Sequence, residues 1–269
     1  MKIAVCLSGI VGGTAGTDGA GGLLNPAISH YSYMKRIIEA NPKCEFDVFV
    51  HTWSTGNEDK IIQLYNPKTI EAEEQRQFNL KGFGASGDGS GTCENYRFRN
   101  FSNWYSKYRS LKLKHEYEAE NSFKYDWVLQ TRFDVWYATP LVFTDYDLDK
   151  FYVFNWARGT NPGSEGHSVD VTFFSNSTLM DGFMTHYPNI KKYSKIIPGG
   201  IKSYHPVDGH AIPWNFFKDF AGEKNIVHIF REFEDWVIVR KIKHPGGAKR
   251  KCPQKLVDEY NHICGVLES

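Results

Sequence analysis

The stretch Tyr125-Asp126-Trp127-Val128-Leu129-Gln130-Thr131-Arg132-Phe133-Asp134 constrains the fold more than any other part of this chain. Val128, Leu129 and the flanking aromatics suit a strand covered on both faces, the pattern of a parallel sheet between layers of helix. Arg132 and Asp134, two residues apart, then project to the same side where the strand emerges. In an open α/β sheet, ligands bind at that carboxyl edge. An aspartate there can hold a divalent cation on a diphosphate, and an arginine can clamp phosphate oxygens with two parallel hydrogen bonds. The same two residues also read as a structural ion pair that caps the strand.

The sequence before this stretch supplies the rest of a parallel sheet. Lys2-Ile3-Ala4-Val5-Cys6-Leu7-Ser8-Gly9 reads as an opening strand that runs into a glycine turn, and Phe46 to Trp53 as a second strand ending in polar and aromatic groups. Between them the sequence predicts a helix from about Pro26 to Ala40, with Asn25 as N-cap and Pro26 at its first position. Strand, helix, strand is the βαβ signal. A further helix, about Phe101 to Asn121, carries apolar Trp104, Tyr108 and Leu111 and feeds directly into the Arg132/Asp134 strand.

Taken in order, Ser8-Gly9, Asp47-Val48-Phe49-Val50-His51-Thr52-Trp53, Tyr65-Asn66-Pro67-Lys68, Tyr105-Ser106-Lys107-Tyr108 and Tyr125-Asp126 to Arg132-Phe133-Asp134 resemble small glycosyltransferases of the GT-A fold. Such proteins occur in bacteria, phages and large DNA viruses, and the resemblance covers roughly residues 1 to 185. It implies an α/β, GT-A-like (Rossmann-like) fold, a mixed and mostly parallel sheet flanked by helices. It also implies transfer of a hexosyl or pentosyl group from a nucleotide-diphosphate sugar, UDP- or GDP-linked, to a glycan, glycoprotein or other hydroxyl acceptor. On this resemblance the nucleotide sugar lies against Ser8, Gly9, His51, Thr52, Arg132 and Asp134. Asp134 takes the place of the last aspartate of the family's D-x-D motif, which holds a divalent cation, Mn2+ or Mg2+.

Two departures stand out. Arg132 occupies the first acidic position of D-x-D, so the metal has one carboxylate fewer and the arginine takes part of the charge neutralisation. Relatives place an arginine soon after Ser-Gly on the first strand, whereas this chain inserts the glycine-rich run Ile10 to Gly22. Such a run before a helix can wrap phosphates with backbone N–H groups, or it is a flexible insertion lacking the Gly-Lys-Ser/Thr ending of a P-loop. A second glycine-rich run, Lys81 to Gly91, reads as a lid over the donor or as a tolerated insertion.

Further candidates lie downstream. Short strands are predicted at Phe151–Phe154, Val171–Phe174, Ile226–Phe230 and Trp236–Val239, and a helix around Ser177 to His186. Asp170, at the start of one of these strands, resembles the carboxylate that deprotonates the acceptor hydroxyl in inverting GT-A enzymes, and Asp208 is the second candidate base. His210, ahead of Pro213-Trp214, resembles the late histidine that completes the metal site in some GT-A families, which implies a third metal ligand; by itself it also reads as a structural histidine. Trp156, in a polar loop after a strand, is the candidate acceptor contact.

Composition narrows the partners. Lys+Arg 32 against Asp+Glu 31 gives no polyelectrolyte signal, so nucleic acid is not the default partner. Five cysteines without a C-x-x-C pair suggest neither a disulfide framework nor a zinc site, and a reducing cytoplasm fits them best. No apolar run reaches the roughly 18 residues that a membrane span needs. The expected organisation is a transferase domain over residues 1–240 and a basic C-terminal extension over 241–269. The alternatives are a catalytically decayed GT-A-fold binding protein and a sugar-phosphate nucleotidyltransferase.

Overall fold

Five consecutive apolar residues, Ile3 to Leu7, are each at most 2% exposed, so the opening strand has cover on both faces. The computed structural model describes residues 1–11, 13–15, 20–81, 91–155, 169–194, 211–243 and 252–268. Along the chain these form β1 (Lys2–Gly9), β2 (Gly13–Ala15), β3 (Ala20–Leu23), α1 (Pro26–Tyr33), β4 (Glu45–Thr52), α2 (Glu58–Tyr65), β5 (Thr69–Ala72) and α3 (Gly91–Asn121). There follow β6 (Trp127–Arg132), β7 (Val135–Tyr137), β8 (Phe151–Asn155), β9 (Phe173–Ser175), α4 (Ser177–Met184), α5 (His186–Tyr193), α6 (Ala211–Ala221), β10 (Ile226–Arg231), β11 (Trp236–Ile238), α7 (Arg240–Lys243) and α8 (Gln254–Glu268).

Seven strands make the main sheet in the order β10-β8-β9-β6-β1-β4-β5. β1 pairs in parallel with both β4 and β6, and β5 extends the parallel run. β9 is antiparallel to both its neighbours, β6 and β8, and β10 is parallel to β8. The sheet is therefore mixed and mostly parallel, with β9 alone reversed, and helices flank it. Period-two alternation divides the core between the two faces. Ile3, Val5, Leu7, Val50 and Leu129 pack with Tyr33 and Ile37 near α1 and with Ile61 and Tyr65 of α2. Ala4, Cys6, Phe49 and Val128 pack with Trp104 and Leu111 of α3 and with Phe183, Ile190 and Phe217 of α4 to α6.

Local chemistry accounts for the elements that place the site. Asn25 Oδ1 accepts the Ala27 N–H at 3.1 Å and Pro26 opens α1, as predicted. The helix then widens into a π-helical turn, Met34–Ile38, and stops two residues short of Ala40. β1 ends in Gly9, whose φ of +100° is strained for any residue with a Cβ. α3 begins at Gly91, ten residues before the predicted Phe101. The predicted glycine-rich loop after β1 is in part an antiparallel pair, with Gly13 opposite Leu23 and Ala15 opposite Ala20. The second glycine-rich run lies almost wholly outside the described residues.

A third cluster joins α1 to the chain's end. Leu24 and Ile28 pack with Trp136, Val237, Ile242, Leu256, Tyr260 and Ile263, and Arg36 pairs with Glu259 at 3.1 Å. The described part of 241–269 is thus seated on α1. No helix among the described residues is long and apolar enough to cross a membrane.

Candidate functional site

The register of the sheet lines up the carboxyl edge. Ser8 pairs with His51 on one side and Arg132 on the other, and alternation from Cys6, Phe49 and Val128 puts all three on the α3 face. The Gly9 N–H donates to Ser106 Oγ at 2.7 Å, so α3 passes the strand ends at Ser106.

Arg132 and Asp134 meet as a two-pronged pair. Arg132 Nε donates to Asp134 Oδ1 at 2.9 Å and Nη2 donates to Oδ2 at 2.7 Å. Arg240, the first residue of α7, donates through Nη1 to the same Oδ2 at 2.8 Å. The Asp134 side chain is 1% exposed, while those of Arg132 and Arg240 are 20% and 12% exposed. Burial pushes the Asp134 carboxyl up, but the two guanidiniums outweigh it and hold the group below the usual carboxylate range. The Asp134 carbonyl also accepts the Val239 N–H at 2.8 Å, so one turn anchors the approach of β11 and α7.

Beside this clamp lies a buried basic group. Lys107 is 1% exposed, and its ammonium donates to Asn103 Oδ1 one helical turn back. Asn103 Nδ2 in turn donates to Asp170 Oδ2 at 2.6 Å. Burial brings Lys107 down to about 7, with Asp170 and Asp134 raising it and Arg132 lowering it. Asp170 is half-buried and lies three residues before β9, rather than at the strand's first position.

His186, at the start of α5, is packed among Trp104, Phe216 and Phe217, and neither ring nitrogen has a hydrogen-bond partner among the described residues. Burial, with Lys107 adding to it, lowers its pKa to about 3. The unfolded chain gains a proton near 6.5 that the folded chain refuses until about 3, so stability falls as pH falls through that window. His186→Phe should flatten this acid slope and leave neutral-pH stability equal or higher, since two unsatisfied nitrogens go. Thermal melts at pH 7 and pH 4.5 check it; an unchanged acid loss in the variant would place the sensitivity elsewhere.

The other end of the edge is a closed network. His51, 0% exposed, faces Ser106 Oγ through Nδ1 at 2.7 Å and Glu73 Oε1 through Nε2 at 3.0 Å. Burial lowers its pKa more than Glu73 raises it. Ser106, His51 and Glu73 in series look like a hydrolase triad, but Ser106 is fully buried and its oxygen already accepts the Gly9 N–H. Ser8 Oγ donates to the Thr131 carbonyl and accepts from Gln130 Nε2, and Thr52 Oγ1 accepts the Ser54 N–H.

The structure thus places Ser8, Gly9, His51, Thr52, Arg132 and Asp134 at one sheet edge, as the sequence predicts, and brings Asp170 beside Arg132. It differs on what the side chains do there. Those of Ser8, His51 and Thr52 are turned into the protein's own hydrogen bonds. Arg240 and Asn103 join the candidate site and are missing from the sequence reading, while Lys107 stands there only within Tyr105-Ser106-Lys107-Tyr108, with no role given to it. Trp156, Asp208 and His210 lie outside the described residues.

A divalent cation fits poorly at Asp134. Both lone pairs of Oδ2 are taken by arginine N–H groups, and a cation on Oδ1 would sit against two guanidiniums, a repulsion on the order of several kcal/mol even at an effective dielectric of ~20. Among the described residues, two other groups have ligand atoms close enough for a metal, His51/Glu71/Glu73 and His115/Glu118/Asp181. Their carboxylates already hold Arg109 and Arg76 in the first group and Lys114 and Lys124 in the second.

No protein-family model matches the chain, and no curated protein matches it. Among solved structures it is similar to a glycosyltransferase involved in the glycosylation of the major capsid of PBCV-1, at 9% identity over 86% of this chain and 82% of that one, with a TM-score of 0.37. It is also similar to the galactosyltransferase LgtC in complex with donor and acceptor sugar analogs, at 15% identity over 85% of this chain and 73% of that one, with a TM-score of 0.40. Likenesses this distant transfer no residue roles.

Proposed function

We propose that this protein is a glycosyltransferase that moves a hexosyl or pentosyl group from a nucleotide-diphosphate sugar to a hydroxyl of a glycan or glycoprotein. One observation carries the reading: at the carboxyl edge of a parallel sheet, a partly exposed arginine fork and a half-buried carboxylate, Asp170, lie on one face, spaced by Lys107 and Asn103. A phosphate-binding group beside a candidate base is what transfer from a phosphorylated leaving group to a hydroxyl requires. In this reading Arg132 faces the donor diphosphate, Gly9 and the strand ends bound the nucleotide, and Asp170 takes the acceptor proton. Asn103 orients the Asp170 carboxylate by donating to its Oδ2. Trp156 is proposed to stack on the acceptor sugar, with Asp208 as the second candidate base.

The test is a panel of UDP- and GDP-sugars scored for nucleoside diphosphate release with and without glycan acceptors. Asp170→Asn should lower transfer by about 10²-fold while donor affinity stays within about twofold, because base catalysis acts after the donor is seated. Near wild-type transfer in Asp170→Asn removes it as the base. Donor binding without turnover would favour a catalytically decayed binding protein, consistent with the inward-facing Ser8, His51 and Thr52. Neither binding nor release across the panel would sink the proposal.

A further inference from the structure

The fork that grips Asp134 uses only part of Arg132. Its Nε and one Nη2 hydrogen form the side-on edge that holds the carboxylate. The end-on edge, formed by Nη1 and the second Nη2 hydrogen, has no partner among the described residues, and the side chain is 20% exposed. A guanidinium presents five donors in one plane, so fixing the side-on edge also fixes where the end-on edge points. Asp134 is itself held from the other side by Arg240. The clamp therefore orients a guanidinium in advance, and it places two cations around one carboxylate at the edge where ligands of such sheets bind.

Among the described residues, the charged neighbours that act on this clamp include Arg132, Arg240 and Lys107 as well as Asp134 and Asp170. The carboxylate that a metal-dependent enzyme would use for its cation is already committed to arginine, while an arginine edge faces outward.

Building on the proposed transferase reading, we propose that the Arg132–Asp134–Arg240 clamp receives the diphosphate of the donor directly, in place of a divalent cation. Arg132 contacts the phosphate oxygens. Asp134 and Arg240 are positioning residues, Asp134 by holding the fork and Arg240 by holding Asp134 and adding charge.

The experiment is calorimetric titration of the whole chain with UDP, GDP and inorganic pyrophosphate, each in EDTA and each in manganese. Affinity for the nucleoside diphosphate should agree within about twofold between the two conditions. Arg132→Lys keeps the charge and one hydrogen bond but loses the planar fork, so it should bind about tenfold more weakly, with the loss unaffected by manganese. Thermal melts of Arg132→Lys report whether the fold is kept, and Arg240→Lys, which leaves the Arg132 fork whole, should show a smaller loss of affinity. Binding that disappears in EDTA and returns with manganese overturns the proposal, as does wild-type affinity in a folded Arg132→Lys. If pyrophosphate binds through Arg132 while neither nucleoside diphosphate binds, the clamp stands and the nucleotide-sugar reading falls. If none of the three binds in either condition, the clamp falls as well.

Discussion

Asp134→Ala should destabilise the protein by about 3–5 kcal/mol, because it strands two largely buried guanidiniums at once. Urea unfolding at neutral pH checks it, as a lower midpoint at a similar slope. The sequence offers Asp134 either as a metal-holding aspartate or as half of a structural ion pair. The carboxylate has arginines on both oxygens and its backbone carbonyl holds Val239, which makes a large loss of stability the expected effect. The pH dependence gives an independent arm. The folded-state pKa of Asp134 lies below 3.8, so its contribution is present above that value and is lost as pH falls through the folded pKa. Wild type and Asp134→Ala should then converge in stability in strong acid. A variant that unfolds at the wild-type urea concentration at pH 7 would mean that the Arg132–Asp134–Arg240 clamp contributes little to stability.

The parts of this fold that are legible in the sequence are those written in local pattern. β1, β4 and β6 announce themselves as apolar runs, and α1 by Asn25-Pro26. β5 is less visible, because Thr69-Ile70-Glu71-Ala72 is a half-buried edge strand held by β4 rather than by its own composition. The site divides in the same way. Arg132 and Asp134 are readable as candidates because they are a charged pair at a strand end, whereas Asp170, expected at the start of β9, lies three residues ahead of it. Arg240 is not readable, since it meets Asp134 across 106 residues and nothing near it marks the contact. α3 hides most. Its buried face includes Ser106, Lys107, Ser110, Lys114 and Glu118, residue types that a periodicity argument assigns to solvent, and their partners lie on other elements.

That polar face gives the second large effect, at the end of α3 away from the site. Glu118 is 1% exposed; its Oε1 accepts from Ser177 Oγ at 2.5 Å and from the Tyr125 N–H at 2.9 Å, and its Oε2 accepts from Lys114 and Lys124, each at 3.0 Å. Lys114, itself 0% exposed, also donates to Asp181 at 2.6 Å and Ser177 at 2.8 Å. One carboxylate therefore ties α3 to α4 and to the residue that leads into β6. Glu118→Ala leaves a buried ammonium short of a partner and orphans a backbone N–H, and should cost about 3–5 kcal/mol. Glu118→Gln, which keeps the shape and loses the charge, should fall between the two. Hydrogen exchange at the Tyr125 amide should quicken in both variants. The site is a separate matter, because Glu118 lies fifteen residues beyond Asn103 on the same helix, roughly 22 Å along its axis. Under conditions where Glu118→Gln is folded, its affinity for nucleoside diphosphate should match wild type, whereas Arg132→Lys loses affinity with its fold intact. A Glu118→Gln protein as stable as wild type would show that the network is redundant; one that is folded but fails to bind would show that α3 transmits strain along its length to Asn103 and Lys107.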